Sequence, residues 1–67
     1  KNKDLININT ASKAVLDRLW GIGPATAEKI INYRQKNGPF LQIEEIKAVD
    51  GIDDGKFNRW HDKITVE

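Results

Sequence analysis

The sequence predicts a small all-α domain built from two helical hairpins that share one core. Three observations predict it. Helical periodicity runs into Leu19-Trp20-Gly21-Ile22-Gly23-Pro24 and out of it again. About thirty positions later, Val49-Asp50-Gly51-Ile52-Asp53 repeats Leu19-Trp20-Gly21-Ile22-Gly23. A chain of 67 residues with no cysteine has no disulfide to lean on, so helix packing alone must hold it. A single hairpin buries too little, and a repeat of this period implies two units in approximate two-fold relation around a common core.

Leu5-Ile6-Asn7-Ile8 is too short to assign by period. It either pairs with the tail Ile64-Thr65-Val66 or packs as an extended arm. Lys1 to Lys3 are polar and read as a frayed end. Thr10 is the expected cap of helix one, through its hydroxyl. That helix is expected from Ala11 to Leu19, with Ala11, Val15 (or Ala14) and Leu19 at helical spacing and Leu16 beside them. Lys13 at the third helical position leaves no capping box.

The first hairpin follows. Glycine accepts positive φ and leaves its amide uncovered, and Pro24 suits the first helical position. Ile22 must point inward to pin the loop. Helix two is expected from Pro24 to about Lys36, with Ala27, Ile30, Ile31 and Arg34 on one face. Asn37-Gly38-Pro39 stops it, glycine as the left-handed cap and proline as the breaker.

Phe40 to Gln42 connect the units. Helix three is expected from Ile43 to Val49, with Ile43, Ile46 and Val49 on one face and Gln42 as a weak cap. After the turn Asp50 to Asp53, helix four is expected from Asp54 to about Lys63, burying Phe57, Trp60 and Ile64. Asp53 or Asp54 at its start suits the helix dipole. The whole chain, 1–67, reads as one domain: motif one about 11–37, connector 38–42, and a degenerate motif two about 43–64.

Charge is unevenly spread. Up to Gly38, seven lysines and arginines stand against three acids, a net +4; from Pro39 on, four stand against seven, a net −3. A polyanion is therefore expected at the Gly21 hairpin and discouraged at the other end. No apolar run approaches the roughly 20 residues of a membrane helix, and no signal peptide is visible. A chain that begins at Lys1 and has no methionine reads as a piece of a longer protein.

The bare amides of Gly21-Ile22-Gly23, opening onto a helix N-terminus, are the features of a phosphate site. The plain alternative is that the glycines merely make a tight connection. A dinucleotide fingerprint fits poorly, because no third glycine falls at Ala25 or Thr26 and a helical pattern, not a strand, comes first. His61 has no second histidine and no nucleophile beside it. Asp50, Asp53 and Asp54 could be imagined as a cation site, but turn and helix-start chemistry accounts for them. Trp20 either stacks on a base or sugar or covers the hairpin; the cover is the simpler reading. Trp60 should be structural. No nucleophile–base pair, metal cluster or carboxylate pair is present, so a binding module is expected, not an enzyme.

Three blocks carry a family resemblance: Ile6-Asn7-Ile8-Asn9-Thr10-Ala11-Ser12, Gly21-Ile22-Gly23-Pro24-Ala25-Thr26-Ala27, and Ile30-Ile31-Asn32-Tyr33-Arg34-Gln35-Lys36-Asn37-Gly38-Pro39-Phe40. Ile43-Glu44-Glu45-Ile46 and Asp62-Lys63-Ile64-Thr65-Val66 extend it across nearly the whole chain. The sequence resembles the ComEA-like helix-hairpin-helix family of competence proteins. The resemblance implies a tandem helix-hairpin-helix fold, a small helical bundle similar to SAM domains. It implies binding of double-stranded DNA without sequence preference, as in a receptor for DNA uptake in natural transformation. It places such receptors outside the membrane or in the periplasm, on an anchor beyond this chain.

By the same resemblance, hairpin amides contact phosphate oxygens, in some members with a monovalent cation. That role falls on Gly21, Ile22, Gly23, Ala25 and Thr26, with Lys29 one turn further on. Lys13, Lys29 and Lys36 would add attraction. No other cofactor, no small-molecule substrate and no membrane contact by this fragment are implied. Departures occur at Trp20 and Asp50, where the family usually has proline, and at Thr26, often basic. Asp53 replaces the second glycine of the second hairpin. Its charge should repel phosphate and its Cβ should restrict the backbone, so that hairpin reads as a structural relic. The rival functions are a protein-interaction or scaffolding module, and an accessory domain of a DNA-processing enzyme. An exposed Trp20 would favour the protein module; a basic rim around hairpin one would favour DNA.

Overall fold

The computed structural model describes residues 4–67. The expected fraying of Lys1 to Lys3 lies outside them. Elements follow in the order β1 (Ile6–Asn7), α1 (Lys13–Leu16), α2 (Pro24–Asn37), a 3₁₀ segment (Ile43–Ala48), α3 (Asp54–Trp60), a 3₁₀ turn (His61–Lys63) and β2 (Ile64–Thr65). The fold is the expected small helical one, closed by a two-strand clasp.

The clasp decides between the two readings of the N-terminal segment. β1 pairs with β2 in parallel, Ile6 opposite Ile64 and Asn7 opposite Thr65. Ile8 N–H continues the ladder to Thr65 O at 2.9 Å, and its side chain is fully buried. Asn9 then joins three segments. Its Nδ2 donates to Phe40 O at 2.9 Å and Val66 O at 3.2 Å, and its Oδ1 accepts from Phe40 N–H at 2.7 Å.

Helix one differs from expectation at both ends. Thr10 is not its cap. Thr10 and Ala11 both donate their N–H to Asn7 O, which holds them in a turn, and Ser12 Oγ accepts from Val15 N–H at 3.3 Å instead. The α-helix spans only Lys13–Leu16. Beyond it, Arg18 N–H bonds to Val15 O and Leu19 N–H to Leu16 O, both at 3.1 Å. These i→i−3 bonds tighten the last turn so that the chain can enter the hairpin. The second unit does the same throughout, and its first helix is 3₁₀ rather than α.

α2 begins with Pro24 at its first turn and runs to Asn37. It ends where Gly38 adopts φ +90° and donates to Arg34 O at 3.0 Å, a conformation that favours glycine. Ala27 and Ile30 are fully buried. Arg34 stands on the same side but does not pack as an apolar residue would. Its guanidinium donates to Ile8 O at 2.8 Å and Ala11 O at 2.7 Å. Burial lowers its pKa, yet a guanidinium stays charged in proteins.

α3 stops at Trp60, and the chain tightens to 3₁₀ for His61–Lys63. The core gathers Leu16, Ile22, Ala27 and Ile30 from the first unit and Ile46, Ile52, Phe57 and Trp60 from the second. Trp60 is 1% exposed and meets Phe57 edge-on at 6.2 Å. Its indole N–H is satisfied by Trp20 O at 2.9 Å, as a buried donor requires.

Candidate nucleic-acid interface

The two hairpins are built alike. Ile22 N–H donates to Leu19 O at 3.0 Å, and Ile52 N–H to Val49 O at 3.1 Å. Gly21 has φ +78° and Gly51 φ +99°, the left-handed region that strains any other residue. Ile22 and Ile52 are buried as pins. The residue before each second helix also matches: Gly23 has φ −93° and ψ −176°, Asp53 φ −106° and ψ 176°. This corrects one expectation. The Cβ of Asp53 does not restrict the backbone, because the position is extended and open to any residue.

The hairpins lie side by side, related by the thirty-residue offset. The stem of Lys56 runs across Gly21, its Cε 3.0 Å from where a Cβ would stand, and Thr26 lies over Gly51, its Oγ1 at 3.5 Å from the same point there. Lys56 and Thr26 are repeat equivalents. So are Lys29 and Arg59, and Trp20 and Asp50. Lys29 Nζ reaches Asp50 Oδ2 at 3.4 Å, while Arg59 lies over the Trp20 ring at 4.1 Å. The basic and acidic halves of the sequence therefore do not occupy opposite ends of the molecule, as the charge distribution suggested. The two turns interlock.

One backbone N–H separates the two hairpins: that of Lys56 is capped by Asp53, and that of its equivalent Thr26 is not. Among the described residues, nothing accepts from the N–H of Gly21, Gly23, Ala25 or Thr26. Three of these open α2, and the fourth is on the turn itself. Around Gly23 a Cβ would meet nothing within 4 Å, so the approach is open. Ile22, expected among the phosphate-facing amides, is different: its N–H is spent on Leu19 O, and its role is to pin the turn. At the second hairpin a carboxylate already occupies the equivalent place. Asp53 Oδ1 accepts from Lys56 N–H at 2.9 Å. That hydrogen bond holds the Asp53 carboxyl below its ordinary 3.8, with the Lys56 charge adding to it against a desolvation effect of opposite sign.

The lysines are placed unequally. Lys13 pairs with Glu28 at 3.9 Å and Lys29 with Asp50 at 3.4 Å. All four side chains are half-exposed or more, and such pairs hold weakly. Lys36 is twelve residues along α2 from Pro24, about 18 Å at 1.5 Å per residue, so it does not share the hairpin's end. Lys56 was not foreseen as a neighbour of hairpin one. The repeat register was the available signal, since it sets Lys56 where Thr26 departs from a basic residue.

Trp20 is not buried over the hairpin: it is 56% exposed, and Arg59 sits against its ring. His61 is exposed and stacks on Phe57 at 5.8 Å. Asp54 pairs with Lys47 at 3.4 Å. Among the described residues, no group of three metal-binding side chains comes together, and no helix is long and apolar enough to cross a membrane.

Two interlocked turns of this geometry, each opening a helix over a buried isoleucine, define a tandem helix-hairpin-helix domain. The profile of the helix-hairpin-helix motif matches residues 1–65, and the chain belongs to that family. It is similar to ComE operon protein 1 of Bacillus subtilis (strain 168), 46% identical over 63 residues, which are 94% of this chain and 31% of that protein. That match bears out the ComEA-like resemblance of the sequence. An uncharacterized protein of Haemophilus influenzae is 39% identical over 62 residues, 91% of this chain and 55% of its own length. Endonuclease/exonuclease/phosphatase family domain-containing protein 1 of Rattus norvegicus is 34% identical over 62 residues, 92% of this chain and 11% of that protein. The chain thus spans from about a tenth to just over half of these relatives.

Proposed function

We propose that this domain binds double-stranded DNA without sequence preference, through phosphates held at the first hairpin. The observation that carries the reading is the contrast at one position. Gly23 leaves a helix N-terminus open, with four unclaimed N–H groups around it, whereas Asp53 fills the equivalent place with its own carboxylate. A helix start with bare amides attracts an anion. Gly21, Gly23, Ala25 and Thr26 supply the donors, Ile22 fixes the turn, and Lys29 and Lys56 flank it. Lys29 exchanges its exposed pairing with Asp50 for phosphate. The turn carbonyls of Leu19 and Trp20 accept hydrogen bonds from Ile22 N–H and the Trp60 indole, and amides and lysines carry the mechanism.

Phosphate contacts position a protein on DNA without reading sequence. Two or three neutralised phosphates correspond to a slope of roughly −2 to −3 in log K against log salt, and to a single-domain Kd of about 10⁻⁴ to 10⁻⁶ M. Weak contact at one domain suits a longer protein that gains avidity from tethering or repeated copies. The name of the Bacillus relative supports a place in competence, and with it a receptor facing outside the membrane or into the periplasm, non-enzymatic in this segment.

The exposure of Trp20 favours a second reading, a protein-interaction module that has kept the fold. An amide chemical-shift titration with a mixed-sequence duplex at two salt concentrations separates the two. DNA binding at hairpin one gives salt-sensitive shifts at Gly21 to Lys29 and at Lys56, with Gly51 to Asp54 weaker. No shift at low salt overturns the proposal.

A further inference from the structure

We propose that Trp20, held against Arg59, is a stacking site for an unpaired DNA base. The domain would then engage single-stranded DNA or a frayed duplex end as well as intact duplex. The inference rests on the reading of hairpin one as a phosphate site, and extends it from backbone to base.

Trp20 is the residue immediately before Gly21, so its backbone leads into the turn whose amides would hold a phosphate. It keeps 56% of its surface open although the guanidinium of Arg59 sits 4.1 Å from the ring centroid. An indole with open surface beside a phosphate site is what single-strand binders use, because every base has a π-face. Arg59 also differs from its repeat equivalent. Lys29 is engaged by Asp50, whereas the N–H groups of Arg59 have no carboxylate partner among the described residues. This leaves the cation to a phosphate while it sits over the indole. The pair thus offers a stacking surface and a cation together, on a residue that adjoins the hairpin in the chain. An acidic protein segment would be drawn to the same cation, but it would not need an open indole on the residue that leads into the phosphate-binding turn.

Fluorescence tests this directly. Trp60 is 1% exposed, so ligand-dependent quenching reports mainly on Trp20. The domain is titrated with an oligothymidylate and, separately, with a blunt mixed-sequence duplex, each also followed by anisotropy of a labelled strand. Stacking predicts that the oligothymidylate quenches Trp20. Trp20→Ala should weaken oligothymidylate binding roughly five- to hundredfold, as loss of one stacked base does, with blunt-duplex affinity kept within about twofold. Trp20→Phe should recover part of the loss. Because Trp20 is exposed, the variants fold, and retained Trp60 emission checks this. Blunt-duplex binding tracks the hairpin and oligothymidylate binding tracks the indole, so the two readings fail separately. Duplex binding without quenching, with equal affinities for Trp20→Ala and the parent, overturns the stacking site and leaves the indole to a protein partner.

Discussion

At the scale of single residues, Gly23 and Asp53 carry the difference between the hairpins. Both are extended, so in Gly23→Asp the backbone meets no strain and the new Cβ nothing within 4 Å. Asp is a somewhat better N-cap than Gly, by a few tenths of a kcal/mol. The variant should therefore be as stable as the parent or slightly more so. Its carboxylate should cap α2 as Asp53 caps α3 and lower duplex affinity roughly five- to tenfold, the worth of about 1 kcal/mol at a helix N-terminus. Anisotropy and urea denaturation on one variant check both halves; equal affinity would remove hairpin one from the interface. Asp53 itself makes a pH prediction. Its carboxyl is depressed in the folded state, so its contribution is present above the unfolded value and is lost as pH falls through the folded one. Stability should decline in acid, from about pH 4 downward. The decline should be shallower in Asp53→Asn, whose side chain still caps. Parallel pH profiles would mean that the charge contributes nothing.

At the scale of elements, the turns can be compared by one substitution made twice. Gly21→Ala and Gly51→Ala each force alanine to positive φ, a cost of about 1 to 2 kcal/mol. At Gly51 the new methyl meets Thr26 at ordinary contact distance, whereas at Gly21 it meets the Lys56 stem at 3.0 Å. Both variants should lose similar stability in urea. Only Gly21→Ala should move Lys56 and weaken DNA binding beyond what the lost stability explains. Arg34 ties α2 to the N-terminal arm through two carbonyls, and lysine cannot reproduce that fork. Arg34→Lys should cost about 1 to 2 kcal/mol and leave duplex affinity unchanged, since the contact is remote from Gly23. Elements of this kind were legible in the sequence wherever the signal was local. Pro24, Gly38 and the spacing of Ala27 and Ile30 mark α2, and Gly21-Ile22-Gly23 marks the turn. Thr10 against Ser12 was not legible, because Asn7 O claims the amides of Thr10 and Ala11. Nor was the 3₁₀ form of Ile43–Ala48, whose apolar spacing suits either helix.

At the scale of the whole molecule, what escaped the sequence is what depends on the pairing of the units. Lys56 reaches Gly21 across 35 residues, and Lys29 meets Asp50 across 21. Only the repeat register hinted at either. The split into a basic and an acidic half misled for the same reason, since the two-fold arrangement sets the turns beside each other. That arrangement makes the second hairpin recoverable. Its backbone already matches the first, so charge and occupancy are what distinguish them. Asp53→Gly with Asp54→Lys removes the internal carboxylate, opens the amides of α3 and adds a cation. The cost is the Asp53 cap and the exposed Lys47–Asp54 pair. The double variant should be less stable in urea but bind duplex more tightly. Its log K against log salt should steepen by about one to two phosphates' worth. Anisotropy across a salt series reads affinity and slope together. A steeper slope means that both hairpins grip one duplex, whereas an unchanged slope means that two adjacent turns cannot reach phosphates at once and that the fold works through one.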